Sequence, residues 1–310
     1  MTIILHFSNK LGLSPNFVYK TIRLAPHSYK KFSIPKKNGG TRIVHQPSKK
    51  VKALQILAVE EFFSKLPVHS CVYSYKKNTS IINCANKHKA NNYLLRLDFK
   101  NFFESITNRD IKLLLKNNAH YFPIKLDNED ITLLSLLSCC SNDVTNDLRV
   151  VIGAPSSPSI SNAILYEFDS AIDAFCHNMS ITYTRYADDL FFSTNNANIL
   201  TKVKRKVVDT LNNLQHPKLT LNHKKTYHTS RKHRKIVTGL TLTPEKTISI
   251  GRERKREIKS LIFDFSNKEL PLDKLEYLKG LLSFTHSAEP RFIESLRKKY
   301  GNHVIAKLWH

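Results

Sequence analysis

Between Ile181 and Ser193 the chain reads ITYTRYADDLFFS, with β-branched and aromatic residues on both sides of two adjacent carboxylates, Asp188 and Asp189. Side chains of this kind fit a pleated, half-buried surface, so the stretch predicts a β-hairpin with an acidic tip. Tyr93 to Asp98 (YLLRLD) predicts a second apolar strand that ends in a carboxylate, with Phe99, Phe102 and Phe103 just beyond it. Ile34 to Val44 predicts another hairpin, two short extended runs around a basic Asn-Gly turn. Leu219 to Thr226 (LTLNHKKT) reads as a strand followed by two lysines, and Arg231 to Thr243 as a basic turn followed by a strand pair. Helical spacing governs other stretches. Ser14-Pro15 can open a helix bearing Phe17, Val18, Ile22 and Leu24, and Leu54, Leu57, Ala58, Phe62 and Leu66 form a helical stripe that Pro67 stops. Thr107 and Asp110 read as a capping box ahead of Ile111, Leu114 and Leu115. Gly153 to Pro158 is a turn-rich lead into a helix carrying Ile160, Ala163, Ile164 and Phe168. After Gly251 the pattern is helical throughout. Ile258, Leu261, Ile262 and Phe265 share one face of a helix whose other face is cationic, Pro271 starts a second helix, and a third runs from Glu289 until Gly301.

Adjacent carboxylates repel, so the acidic tip is costly unless cations sit beside it. Asp98 together with Asp188 and Asp189 supplies a set that could bridge two divalent ions roughly 3.5–4 Å apart, the arrangement that activates an attacking hydroxyl and stabilises the leaving oxygen in phosphoryl transfer. Magnesium is the expected ion, with manganese as a substitute, because carboxylates, phosphates and water suit its octahedral oxygen preference. Lys36, Lys37 and Arg42 at the basic hairpin would grip a triphosphate, Phe99 and Phe103 would border the nucleotide, and Lys224 would add a cation. With only eight glycines in the chain, Gly153 reads as a place where backbone approaches a ligand closely. Together these features point to nucleotidyl transfer from a nucleoside triphosphate to an attacking hydroxyl.

Charge identifies the partner. The 310 residues carry 49 Lys and Arg against 25 Asp and Glu, a net +24 that attracts polyanions. No apolar run approaches the length of about 18 residues that a membrane span needs; nucleic acid is the expected partner, and an anionic membrane surface, the runner-up, is disfavoured by the 10% aromatic content and the spread of basic residues along the chain. Arg231, Lys232, Arg234 and Lys235, and Arg252, Lys255 and Lys259 on the first C-terminal helix, are the expected nucleic-acid contacts. MTIILHFSNK lacks the basic start and cleavage site of a signal peptide, and the odd number of cysteines without a CxxC pair reads as reduced cytosolic core residues. The spacing of His223, His228 and His233 fits no zinc pattern and reads as basic-loop histidines.

Asp98 followed by FKNFF, then GAPSSPSISN, then YADD at Tyr186 to Asp189, then a lysine after LTLN and a strand pair, resembles the ordered motifs of reverse transcriptases over about residues 34 to 250. Val237-Thr238-Gly239, similar to the retron VTG element, and Cys84-Ala85-Asn86-Lys87-His88 mark the resemblance as one to bacterial retron reverse transcriptases. Two positions depart from the family pattern: Cys84 stands where NAxxH has Asn, and Ile152 where Gln commonly precedes the motif glycine. The resemblance implies an α+β right-hand fold, with fingers over 1–92 and part of 104–150, a palm over 93–250 carrying the YADD hairpin, and a small helical thumb over 251–310. It also implies a position at Phe103 that blocks a ribose 2′-hydroxyl, and Val237, Thr238 and Gly239 among the RNA contacts. The implied activity is RNA-templated DNA synthesis on a cognate structured non-coding RNA, primed from a 2′-hydroxyl, giving a branched RNA-DNA hybrid (msDNA) within an anti-phage system that includes an effector protein. A group II intron-like or diversity-generating reverse transcriptase and an inactive RNA-binding scaffold are the alternatives.

Overall fold

The computed structural model describes residues 2–36, 39–230, 232–267 and 270–308. Thr2 caps α1 (Ile3–Leu11) and Ser14 caps α2 (Pro15–Leu24), each side-chain oxygen accepting from a backbone N–H that the first turn leaves unpaired. An antiparallel ribbon of β1 (Tyr29–Pro35) and β2 (Thr41–Pro47) follows, and then α3 (Lys49–Glu61), α4 (Ile81–His88) and β3 (Tyr93–Asp98). The expected capping box of Thr107 and Asp110 starts α5 (Asn108–Asn117), and a second box on Asp127 and Asp130 starts α6 (Asn128–Leu137). The short pair β4 (Cys140–Ser141) and β5 (Leu148–Arg149) leads to α7 (Ser157–Ala163), α8 (Tyr166–Asn178), the hairpin β6 (Thr182–Tyr186) and β7 (Asp189–Thr194), and α9 (Leu200–Asn213). The strands β8 (Tyr227–Thr229), β9 (Lys235–Val237), β10 (Leu240–Leu242) and β11 (Ile248–Ser249) precede four helices, α10 (Arg252–Asn267), α11 (Leu272–Ala288), α12 (Pro290–Tyr300) and α13 (Asn302–Lys307).

The central sheet is antiparallel in the order β6-β7-β3-β8. Because side chains alternate along a strand, its two faces differ in kind. Leu95, Leu97, Leu190, Phe192 and Tyr183 point into a large core shared with α1, α2, α3, α8 and α9. Leu94 and Phe191 point the other way, into a second core built from α4, β9 to β11 and the C-terminal helices. Asp98 stands opposite Asp189 in the β3–β7 register and shares the second face.

The ribbon begins at Tyr29, earlier than the sequence pattern predicts, and Lys37 lies outside the described residues. The expected strand at Leu219 to Thr226 is not one. Lys100 N donates to Thr220 O at 2.9 Å and Asn222 N to Asp98 O at 2.7 Å, which ties this segment across the end of β3 and bends it into a 3-10 turn at His223–Lys225. The strand comes directly after this stretch, in β8 from Tyr227.

Candidate active site

Asp98 ends β3 with 1% of its surface exposed. Its Oδ2 accepts from Lys225 Nζ at 2.8 Å, while the buried Oδ1 has no hydrogen-bond partner. Asp188 lies at the β6–β7 turn, where its carbonyl accepts from Phe99 N–H at 3.1 Å. Burial, and then the neighbouring charge of Asp98, raise the Asp188 carboxyl above the usual range. Asp189, opposite Asp98 on the same face of the sheet, is held by Arg96 through Nε at 2.9 Å and Nη2 at 2.7 and 3.0 Å. Burial pushes Asp189 up to about 6 even against the pull of Arg96. The three expected carboxylates lie within electrostatic reach of one another, with Asp189 paired to Arg96, and among the described residues no three His, Cys, Asp or Glu side chains gather closely enough to form a metal cage. An orphaned carboxylate oxygen beside a second, crowded carboxylate is nonetheless a donor set suited to a hard divalent cation.

A buried polar network that the sequence reading missed holds the turn between Asp188 and β6. Ala187 sits at φ 53°, its N–H donates to Ser74 Oγ at 2.8 Å and its carbonyl accepts from Arg185 Nη1 at 3.3 Å. Arg185 also grips Asp169 at 2.6 Å, both side chains being fully buried, and donates from Nη2 to the Asn162 carbonyl at 3.2 Å. Tyr183 Oη donates to the same Asp169 at 2.8 Å. The signal was available: strand alternation puts Arg185 on the core face with Tyr183, and a guanidinium there requires a buried acid.

Around the acids the other expected residues take distinct places. Arg42 is exposed on β2 and within electrostatic reach of Asp188, and Lys36 is exposed at the end of β1. The lysine brought to Asp98 is Lys225, next to the exposed Lys224 expected there. Phe99 is a core residue, stacked on Phe102 at 5.5 Å and edge-on to Phe168 at 5.7 Å, so its ring does not border a ligand. Phe103 is half-buried against Phe102. At Gly153, φ is 107° and an added Cβ would fall 2.6 Å from His45 O. The close approach there is thus to the chain's own ribbon, which pairs through His45 N donating to Ile152 O at 2.8 Å.

Residues 34–265 match the family described as reverse transcriptase (RNA-dependent DNA polymerase). Retron Ec83 reverse transcriptase of Escherichia coli is 39% identical over 290 residues, 92% of this chain and 91% of that one. The chain belongs to the bacterial retron reverse transcriptases. Retron Ec73 reverse transcriptase, also of Escherichia coli, is 31% identical across 94% of this chain and 93% of its own. Apo telomerase from Candida tropicalis shares the fold at a TM-score of 0.51 and 14% identity, over 87% of this chain and 58% of that longer one. This retron reverse transcriptase is accordingly an RNA-directed DNA polymerase with the right-hand polymerase fold, works on an RNA template, and belongs to a family that depends on divalent metal. Among the described residues no helix is long and apolar enough to cross a membrane.

The two retron marks in the sequence lie on elements packed together. Thr238 Oγ1 donates to the Ile81 carbonyl at the start of α4 at 2.9 Å, and α4 carries Cys84 to His88. Cys84 Sγ lies 3.2 Å from Thr184 Oγ1 on β6, and His88 bonds Thr184 and Ser193 at 2.7 Å each, so this retron reverse transcriptase uses the Cys in the Asn position as part of a clamp on the YADD hairpin. Val237 is fully buried in the second core, and Lys235, only 4% exposed, donates to the Asn91 carbonyl. Both are corrections to the expected RNA surface, because β9 must seal against α4 and β10 and so turns these alternate side chains inward. Gly239 is exposed, and Lys232 and Arg234 line an open cavity of about 820 Å³ with Arg252 and Lys255. Lys255 is paired with Glu289, and Lys255 and Lys259 lie 5.0 and 5.6 Å from the Phe292 ring, so part of the expected cationic face is spent on packing the helices together. Arg231 lies outside the described residues.

His88 makes this clamp pH-sensitive. Burial pushes its pKa from 6.5 down to about 3, so between those values the unfolded chain binds the extra proton. The stability it contributes is complete above pH 6.5 and is lost as pH falls toward 3. Denaturation curves taken between about pH 7 and 5 should show stability of the parent chain falling more steeply than that of His88→Gln, by up to ~1.4 kcal/mol per pH unit. Equal slopes would place the proton elsewhere.

Proposed function

We propose that this reverse transcriptase copies part of a cognate structured non-coding RNA from a 2′-hydroxyl of that RNA into a branched RNA–DNA product, msDNA, and that enzyme and product restrain an effector protein in anti-phage defence. The likeness to Retron Ec83 reverse transcriptase over nearly the whole of both chains carries this reading. The reading places fingers in 1–92 with part of 104–150, the palm in 93–250 and the thumb in 251–310. Asp98 and Asp188 would hold Mg²⁺, or Mn²⁺ in its place, with Asp189 completing the set if Arg96 releases it. When bound, the metal supplies activation of the attacking hydroxyl and neutralisation of charge at the leaving oxygen. Lys225 holds Asp98 oriented, Lys36 and Arg42 attract the dNTP triphosphate from the ribbon, and half-buried Phe103 offers the surface against which the sugar rests. The folded RNA must put one 2′-hydroxyl at Asp98 and Asp188, so that intramolecular positioning replaces a diffusing primer end.

Co-expression with the RNA encoded beside it, followed by extraction and treatment with ribonuclease and a debranching enzyme, tests the reading. A mobility shift on debranching is expected. Linear DNA made only from a supplied 3′-hydroxyl would instead mark a primer-dependent enzyme.

A further inference from the structure

Residues 71 to 75 run parallel to β6 along its free edge. Arg185 N donates to Cys71 O and Tyr73 N to Arg185 O, each at 2.9 Å, and Val72 pairs with Arg185. Two residues on, Ser74 Oγ takes the Ala187 N–H, so the parallel register brings Tyr75 level with Asp188. The phenol of Tyr75 lies within electrostatic reach of Asp188, Tyr186 and Arg42.

The backbone at Tyr75 is unusual. Its φ is 54°, a conformation that bulky side chains rarely adopt. Constraints on both sides impose it. Asn162 Nδ2 donates to Ser74 O at 2.8 Å, and Thr79 Oγ1 closes the loop by donating to Tyr73 O at 3.0 Å and Lys76 O at 2.8 Å. The result is a ring that is 55% exposed beside the acids, followed by exposed Lys76 and Lys77. A strained backbone that leaves an aromatic side chain more than half exposed points to a contact surface. A ring flanked by cations is how proteins hold a nucleic-acid strand, by stacking on a base while the lysines meet phosphates.

We infer that Tyr75 is a substrate-contacting residue whose ring stacks on the base of the nucleotide at the growing end of the DNA. The attacking hydroxyl must come to Asp98 and Asp188, so the nucleotide bearing it has to lie beside Asp188, where Tyr75 stands. Phe103 and Lys225 adjoin β3, across the acids from the β6 edge, so the sugar and base of the incoming dNTP fall to that side, while Arg42 reaches its triphosphate from beside Tyr75.

The test uses the full chain with an ordinary 3′-hydroxyl DNA primer annealed to an RNA template, so its outcome is independent of 2′-hydroxyl priming. Tyr75→Asn removes the ring but suits positive φ, and its thermal midpoint should equal or exceed that of the parent chain. An abasic sugar at the primer terminus should weaken primer–template binding by the parent chain about tenfold, and binding by Tyr75→Asn less than about twofold. Tyr75→Phe, which keeps the ring, should respond to the abasic end as the parent does. Equal losses for the parent and Tyr75→Asn overturn the proposal, as does a rise in the KM for dNTP with primer–template affinity unchanged. Sensitivity to an abasic templating position in place of the primer end would also overturn it, by moving the ring to the other strand.

Discussion

Asp188→Asn should reduce DNA synthesis at least about 10²–10³-fold in single-turnover extension while leaving RNA binding nearly intact. The reasoning starts from the pair. Asp98 Oδ1 is buried with no partner, and the Asp188 carboxyl is raised by burial and by Asp98, so each group is incompletely satisfied until a cation joins them. An amide at position 188 relieves the repulsion, which should keep the fold at least as stable, but it removes the negative charge that a divalent ion requires. RNA binding rests on a net +24 spread through the chain and hardly notices one charge. Asp98→Asn should behave in the same way, with the added effect that Lys225 loses its carboxylate partner. Asp189→Asn also frees Arg96, so a loss there has a second cause that a matching Arg96→Gln change would expose. Synthesis above a no-enzyme control by the Asp188→Asn, Asp189→Asn double variant would refute the assignment of metal to these carboxylates.

The acids were legible in the sequence because each stands where a periodic apolar pattern stops. Alternation along YLLRLD and TRYADDLFF fixes which residues share a face, and the β3–β7 register then sets Asp98 opposite Asp189. The same alternation could have revealed the partner of Asp189, since Arg96 is two residues before Asp98 and so on its face. The capping box at Thr107 was legible because it is local, closed by two hydrogen bonds within four residues. What was not legible depends on distant parts of the chain. The strand β8 has three residues and exists because β3 offers it an edge, whereas the more strand-like LTLN is tied down by Asp98 and Lys100 backbone. The helix α9 buries Leu200, Val203, Val207 and Leu211, a helical stripe obscured by the lysines between them. Lys235 and Val237 sit in a basic, exposed-looking run, yet three-residue strands between two packed elements turn half of their side chains inward whatever the local charge.

Asp169→Asn should lower stability by about 3–5 kcal/mol, because it leaves the fully buried Arg185 guanidinium without its counter-charge. That is a large share of what holds a domain together, and in a thermal melt it should appear as a shift of roughly 5–15 °C. In a simple buried ion pair, replacing both partners by apolar residues of similar volume often restores stability. Here it should not do so fully. Arg185 also donates to the Asn162 and Ala187 carbonyls, and Asp169 also accepts from Tyr183 Oη, so a double replacement Asp169→Leu, Arg185→Met strands three polar groups in the core. The same network has a second task, since it supports Ala187 at φ 53°, the residue directly before Asp188. The double variant should therefore recover part of its stability and little of its DNA synthesis, with the loss falling on the rate of single-turnover extension and not on primer–template affinity. Recovery of melting temperature and extension rate together would show that the turn keeps its shape without Arg185, and that Ser74 alone suffices to hold it.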